Sequence, residues 1–300
     1  MNSFHPQSIS SSNQKRKSHD PMMVTCERTK FMATYHRQNF SMPDSVIFYI
    51  AKNPKTAELY LKMVKTCKYF FIKNEIIVVN RLDDILGKWR VNEKPHDFTK
   101  YNCKYWITDE IYASSSRLGF SPIIQKFYQC DVKDLFIYSQ IISFNDLSLI
   151  ISSAEKICLN NVTVKKCDSD IPLEDIIAIA VKAKVISDTK PTIAPKTMKE
   201  LTKLANFTKL DSCTLHDLSA VFDIDTFYSY MKKNLHTKLY LTFDPQISNA
   251  FKNRLEIIVD EILETKQFNY KPPFINFYGL DWQKCRKLYQ IYKSLMFVVV

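Results

Sequence analysis

Glycine is nearly absent from this chain of 300 residues, which contains only Gly87, Gly119 and Gly279. Phosphate-binding loops of the Walker and dinucleotide-binding kinds need several glycines close together, because the backbone must approach the phosphate closely. Three isolated glycines cannot build such a loop. The sequence therefore argues against the common nucleotide-dependent enzymes, and we expect no cofactor.

Metal-binding cysteine patterns are also missing. None of the eight cysteines belongs to a C-x-x-C pair, and none stands at zinc-ligand spacing from a histidine. Four of them lie in apolar stretches typical of buried free thiols, namely Cys67, Cys158, Cys213 and Cys285. We therefore predict no metal site, and a reducing compartment, the cytoplasm or the nucleus.

Long apolar runs and catalytic motifs are lacking as well. No segment approaches the roughly 18 apolar residues of a membrane helix, and the N-terminus has no apolar signal core. No G-x-S-x-G motif is present. Cys213 and His216 would lie on opposite faces of a continuous strand. We expect no membrane partner, no catalytic residues and no enzymatic activity.

Positive charge is abundant but dispersed. Of the formal net charge of +11, +4 lies in residues 1–40 and the remainder is spread over 260 residues. A focused basic patch is the usual signature of a nucleic-acid-binding protein. Dispersed lysines are more typical of solvated helix faces, so binding to nucleic acid is kept as the alternative reading.

The pattern of hydrophobic residues divides the chain into four segments. Residues 1–38 are polar and aperiodic, which predicts a disordered tail. Residues 39–82 read as a helical module, and residues 83–100, which contain Pro95, as an irregular connector. From residue 101 to 296, short β-like runs alternate with helical runs, which predicts a βα-repeat domain that binds a target.

The repeat segment favours an α/β fold. Strand centres are expected near residues 106, 136, 158, 185, 213, 240 and 276, separated by 22 to 36 residues. Such units suggest a leucine-rich-repeat-like curved parallel sheet with helices on one side. A single doubly wound α/β domain has the same alternation and remains the alternative. The clearest strand is Thr237–Phe243, and the clearest helix covers residues 247–266.

The most informative stretch of the helical module runs from Met42 to Phe71. Pro43 suits the first turn of a helix, and Val46, Ile47 and Ile50 then share one face. Asn53-Pro54 ends this helix, because a residue before proline avoids the α conformation. A second helix is expected from Thr56 to Phe71. Two such short helices must dock on the rest of the chain or on a partner.

These residues resemble an F-box. Met42-Pro43 stands where F-boxes have Leu-Pro, Asp44 and the branched apolar run follow, and Val64, Cys67-Lys68 and Phe70 match the second helical region. The resemblance implies docking on a Skp-type adaptor of a cullin ubiquitin ligase. The residues implied to bind that adaptor are Met42, Pro43, Val46, Ile47, Ile50, Leu61 and Val64.

An F-box-like module followed by a βα domain is similar to the nematode F-box-like proteins. That resemblance implies a non-enzymatic adaptor, the substrate-recognition subunit of a Skp–cullin–F-box ligase, whose βα domain binds a target protein. The alternatives are a basic nucleic-acid-binding protein and an F-box-like scaffold that has lost its coupling to the ligase.

Two further expectations concern the C-terminal part. Strand alternation points Leu239 and Leu241 inward, so Lys238, Tyr240 and Thr242 are candidate target-binding residues on an uncovered outer face. The apolar end of the chain, SLMFVVV, is too short to span a bilayer. It is expected to fray, and folding back as a cap on the last repeat is the alternative.

Overall fold

The computed structural model describes residues 33, 35–36, 38–85, 87–114 and 120–294. These residues belong to two compact units, which divide between Asn74 and Glu75. Most of the expected disordered tail lies outside the described residues, and so do residues 295–300 of the expected frayed end.

The first unit consists of three short helices. They are α1 (Asp44–Lys52), α2 (Ala57–Thr66) and α3 (Lys68–Lys73). α1 starts directly after Pro43, and the side chain of Thr56 caps α2 by accepting a hydrogen bond from the backbone N–H of Leu59 at 3.1 Å. The expected second helix is interrupted at Cys67, whose backbone is extended. The last apolar residues of the module therefore form a separate helix.

Asn74 ties the ends of these helices together. Its side-chain amide donates to the carbonyl of Ala51 at 3.1 Å, and its own carbonyl accepts from the Tyr60 hydroxyl at 2.6 Å. Ile47, Ala51 and Tyr60 are buried. The two hydrogen bonds fix the end of α1 and the middle of α2 to the residue that follows α3.

The second unit begins with a strand and continues as alternating strands and helices. Its strands are β1 (Ile76–Ile85), β2 (Lys88–Val91), β3 (Lys94–Pro95), β4 (Lys104–Ala113), β5 (Phe127–Cys130), β6 (Asp134–Tyr138), β7 (Ile141–Ser143), β8 (Lys156–Asn160), β9 (Thr163–Lys166), β10 (Ser169–Asp170), β11 (Val185–Thr189), β12 (Ser212–Leu218), β13 (Lys238–Phe243) and β14 (Phe274–Asn276). Its α-helices are α4 (Ser121–Ile124), α5 (Phe144–Ile151), α6 (Leu173–Ile179), α7 (Thr197–Leu201), α8 (Ile224–Met231), α9 (Asn249–Glu264) and α10 (Trp282–Ser294).

The expected irregular connector, residues 83–100, contains regular structure. β1 runs through its first residues, and β2 and β3 continue from it as an antiparallel ribbon. The helical module accordingly ends before β1, earlier than residue 82. The run IIVVN at residues 76–80 is rich in β-branched residues, which favour strands over helices. Pro95 is tolerated because β3 is the last strand at its edge of the sheet.

The strands of the main sheet follow one another in chain order. In the described residues, parallel pairs join β1 to β4, then β6, β8, β11, β12, β13 and β14 without a reversal. A doubly wound sheet reverses its strand order at a switch point. The second unit is therefore a mixed α/β domain with a large, mostly parallel sheet, and the doubly wound alternative is wrong.

One face of this sheet is buried under the helices. The strands alternate between buried and half-buried positions, as in β13, where Leu239, Leu241 and Phe243 are buried. These side chains share one apolar core with Ile258 and Ile262 of α9. The predicted alternation of β13 and the predicted long helix, which spans Asn249–Glu264, are both confirmed.

Three strands end with the same backbone turn, and a fourth strand contains a similar left-handed residue. The residue that directly follows β6, β8 or β11 has a left-handed φ angle, which is 50° at Ser139, 55° at Asn161 and 59° at Lys190. Asp217, which lies within β12, has a φ angle of 55°. In the first three, the N–H donates to a carbonyl of the next strand at 2.8 to 3.1 Å. The repeat is therefore structural, although the sequence hardly repeats.

The second unit also contains a small second sheet. β7 pairs in parallel with β9, and β9 pairs with β10 in the order β10–β9–β7.

No helix in the described ranges is both long and apolar enough to cross a lipid bilayer.

Candidate functional site

The second face of the sheet is the candidate binding surface, and we call it the open face. Its side chains are the alternate, mostly half-buried residues of the strands, in register across the sheet. From β4 to β14 the two rows nearest the carboxyl ends of the strands are Tyr112, Phe136, Cys158, Ser187, Thr214, Tyr240 and Phe274, and then Tyr138, Asn160, Thr189, His216, Thr242 and Asn276.

Aromatic side chains gather at both ends of the open face. At one end the ring of Tyr112 lies 5.2 Å from that of Tyr138 and 6.2 Å from that of Phe136. At the other end the rings of Tyr240 and Phe274 are 4.7 Å apart. The strands between them carry small polar side chains, and four strand spacings separate β6 from β13, about 19 Å. The open face thus forms a polar floor between two aromatic walls.

His216 belongs to a local network at the edge of this floor. Its Nδ1 lies 3.2 Å from the hydroxyl oxygen of Thr242, and the same oxygen accepts from the backbone N–H of Asp217 at 3.2 Å. The His216 ring also contacts Tyr240, with centroids 5.5 Å apart. The left-handed turn at Asp217 therefore fixes Thr242, and Thr242 in turn positions the imidazole.

The predicted target-binding residues lie together on the open face. Lys238, Tyr240 and Thr242 are half-buried, and their alternation with the buried leucines is as predicted. Tyr240, however, is partly covered by a helix, because its ring lies 6.1 Å from that of Tyr292 in α10. Burial raises the pKa of the Tyr240 phenol. Tyr240 therefore belongs to the wall made with α10 and not to an uncovered surface.

The residues implied to bind a Skp-type adaptor fall into three classes of exposure. Met42, Pro43, Val46 and Leu61 are exposed, and Ile50 and Val64 are half-buried. Ile47 is only 3% exposed, which removes it from the surface of the helical unit. Other apolar side chains of α1 and α2 are exposed instead, namely Phe48, Tyr49 and Leu59. The helical unit thus presents an apolar surface that combines predicted side chains with Phe48, Tyr49 and Leu59, which were not predicted.

Sequence reasoning missed most of the open face. Tyr112, Tyr138, Thr214 and His216 were not among the candidates, although each belongs to the same alternation that identified Tyr240. The alternation marks outward positions in every strand, but the register between strands decides which of them become neighbours. That register follows from the sequential strand order.

The chemistry of the open face suits recognition. Burial raises the pKa of the Tyr138 phenol to about 12, so this hydroxyl is a neutral donor and acceptor at physiological pH. Cys213, whose pKa is also raised to about 12 by burial, lies on the opposite, buried face. Among the described residues, no group of three or more His, Cys, Asp or Glu side chains is placed to hold a metal ion. Tyrosine, serine, threonine and asparagine together supply flat contact area and adaptable hydrogen bonds.

A cleft of ≈ 430 Å³ opens beside the N-termini of α8 and α9. Its polar groups are already paired. Asp223 accepts from the N–H of Thr226, Ser248 accepts from the N–H of Phe251, and Arg254 donates to Asp225 at 2.5 Å. The open face has the larger set of outward-facing polar groups, and it is the stronger candidate site.

Comparison of the chain with protein-family models, with curated proteins and with solved structures gives no match.

Proposed function

We infer that this protein is a non-enzymatic adaptor that acts in the cytoplasm or the nucleus. In this proposal the open face binds a target protein, and the helical unit docks on a Skp-type adaptor of a cullin ubiquitin ligase. The observation that carries the proposal is the open face itself, a large parallel sheet whose second face is lined by aromatic, hydroxyl and amide side chains in register.

The repeated strand ends support a leucine-rich-repeat-like domain. Strands in chain order, three of which end at a left-handed residue that bonds to the next strand, are expected when the same βα unit is stacked repeatedly. Repeat domains of this kind commonly bind other proteins through the face that their strands share. The sheet therefore supplies the surface that an adaptor needs for its target.

The exposed apolar side chains of the helical unit support the docking half of the proposal. Val46 and Tyr49 of α1 and Leu59 and Leu61 of α2 are exposed, which is costly for a surface that meets only water. Together with the F-box-like Met42-Pro43 start, these residues define the docking surface. Ile47 is omitted from it because it is buried.

Co-purification with a Skp-type adaptor tests the docking half. The wild-type chain is expected to form a complex at low salt, and Val46→Glu with Leu61→Glu is expected to abolish it, because both charges would enter an apolar interface. Lys65→Glu, an exposed change on α2, serves as the matched control. A folded wild-type protein that fails to bind rules out ligase coupling and leaves a scaffold. Ile47→Lys is unsuitable, because it would place a charge at a buried position.

Binding to the open face is tested separately by cross-linking and mass spectrometry in cells. A photo-reactive amino acid at Thr214, in the middle of the polar floor, is expected to capture discrete proteins. The same amino acid at Leu149, an exposed position on α5 in the helix layer, is the control. An identical pattern of captured proteins at both positions contradicts a target site on the open face.

A further inference from the structure

The open face is electrostatically divided. At the β1–β6 end its aligned positions carry three carboxylates, Asp83, Glu110 and Asp134, and two cations, Arg81 and Arg90. The two arginines pair with Asp83 and Glu110 at 3.6 to 3.7 Å, which leaves a net negative charge at this end. From β8 to β14 the aligned positions of the same face carry Lys156 and Lys238 and no carboxylate, and Asp217 stands at the irregularity of β12. The half of the face next to α10 is therefore the basic half.

Helix α10 extends this basic half. Its sequence, WQKCRKLYQIYKS, contains four cations and no acid. Tyr289 lies 5.4 Å from Phe274 between ring centroids, and the Cys285 thiol is 3.9 Å from the side-chain oxygen of Asn276. Both contacts are with β14 residues of the open face, so α10 borders the polar floor.

One stripe of α10 combines cations with exposed aromatic rings. Trp282, Arg286, Tyr289 and Lys293 recur at intervals of four, three and four residues, which places them within an arc of about 60° on the helix. Trp282 is 71% exposed and Tyr289 is 41% exposed. Lys293 Nζ lies 5.3 Å from the centre of the Tyr289 ring. We call these four residues the α10 stripe.

The cations of the stripe are available to a ligand. Lys284, on another side of the helix, is bound to Glu256 at 2.7 Å and Asp260 at 2.8 Å, so it neutralises part of the acidic charge of α9. In the described part of the chain, Arg286 and Lys293 form no ion pair. Exposed tryptophan, tyrosine and arginine side chains are also the types enriched at binding hot spots.

We propose that the segment bound on the open face is an acidic, extended peptide of the target protein. This rests on the proposed role of the open face as the target site. Aspartate and glutamate side chains of the peptide would face Lys238, Arg286 and Lys293, and an apolar side chain would pack on Trp282 and Tyr289. The hydroxyls of the floor would bond to the peptide backbone.

A protein ligand fits this surface better than nucleic acid does. Arg81 and Arg90 offset only part of the charge of Asp83, Glu110 and Asp134, and the net negative charge that remains at the β1–β6 end disfavours a phosphate backbone that crosses the sheet. A peptide carries its charges on selected side chains, so its acidic part can lie at α10 while a neutral part lies at the other end.

Selection from a random twelve-residue peptide library on the immobilised full chain tests this proposal. The expected result is enrichment of peptides rich in aspartate and glutamate. A synthetic enriched peptide, followed by fluorescence anisotropy, should bind Arg286→Glu/Lys293→Glu at least about tenfold more weakly than the wild type. Lys287→Glu is the control, because it lies on the same helix but about 130° from the stripe. Its effect should stay within about twofold.

The opposite results are equally defined. Enrichment of neutral or basic peptides that do not bind Thr214→Arg overturns the acidic ligand but leaves the target face in place. If the wild-type chain enriches no peptides relative to Thr214→Arg, both the acidic ligand and the target-binding role of the open face are overturned. A labelled twelve-nucleotide oligothymidylate that binds through Arg286 and Lys293, without any enrichment of acidic peptides, reassigns the stripe to nucleic acid. Circular dichroism of each variant shows that its fold is intact.

Discussion

Asp188 gives the sharpest test of the core. It occupies an inward position of β11, in register with Leu159 on one side and Leu215 on the other, and is 2% exposed. Its Oδ1 atom has no hydrogen-bond partner among the described residues. Burial raises the pKa of this carboxyl to about 8, against the opposing effect of the Thr189 backbone N–H. The native state therefore holds a proton on Asp188 at neutral pH.

The direction of the pH effect follows from proton binding. An unfolded aspartate has a pKa of about 3.9, so between pH 4 and 8 the native state binds one more proton than the unfolded state. Stability from this group is complete below pH 4 and falls as pH rises toward 8, by about 1.4 kcal/mol per pH unit. Across the whole window the loss amounts to about 6 kcal/mol.

Asp188→Asn isolates this contribution. Urea unfolding of both proteins at pH 5, 6, 7 and 8 should show the asparagine variant gaining about 1.4 kcal/mol relative to the wild type for each unit of pH up to pH 7, and less between pH 7 and 8. The unpaired amide adds a constant offset, so the slope and not the offset is the measured quantity. Asp188→Leu removes both polar atoms and should give the same slope.

Asp168→Asn, at the exposed β9–β10 turn, provides the background for the change in net charge. Parallel stability curves for the wild type and Asp188→Asn between pH 5 and 8 would refute the reasoning that Asp188 is buried and protonated in the native state.

Three further predictions concern the sheet. Leu241→Ala, at a fully buried position of β13, should lower the free energy of unfolding by about 3 kcal/mol, whereas Thr242→Ala on the open face should cost about 1 kcal/mol; urea titration distinguishes them. Lys190→Ile should cost about 1–2 kcal/mol because β-branched residues disfavour its left-handed φ of 59°, and Lys190→Gly should cost little, so equal effects in thermal melts would contradict this account. Glu155→Lys should lower the thermal midpoint at low salt, because Glu155 is bound to Lys184 at 2.6 Å, and the swapped pair Glu155→Lys/Lys184→Glu should recover most of the loss.

Local patterning determined much of the secondary structure of the second unit. The alternation in β13 and the apolar stripe of α9 are signals within a single segment, and both appear as predicted. The hydrophobic pattern did not predict a strand where charged residues interrupt it. The acidic pair Asp83-Asp84 lies inside β1, and the second half of this strand was therefore assigned to an irregular connector. At Ile47, helical periodicity identified an apolar face but not which partner buries it.

The tertiary structure alone decided which residues share the open face. Strands separated by some 20 to 30 residues become neighbours only when they pair in the sheet. The sequence of a single strand does not determine the order or the register of that pairing. The same is true of α10, whose rings cover Tyr240 and whose stripe borders the polar floor. The sequence by itself determined the alternation of strands and helices, because hydrophobic periodicity acts over a few residues. The binding surface required the whole sheet, because it is built from long-range contacts.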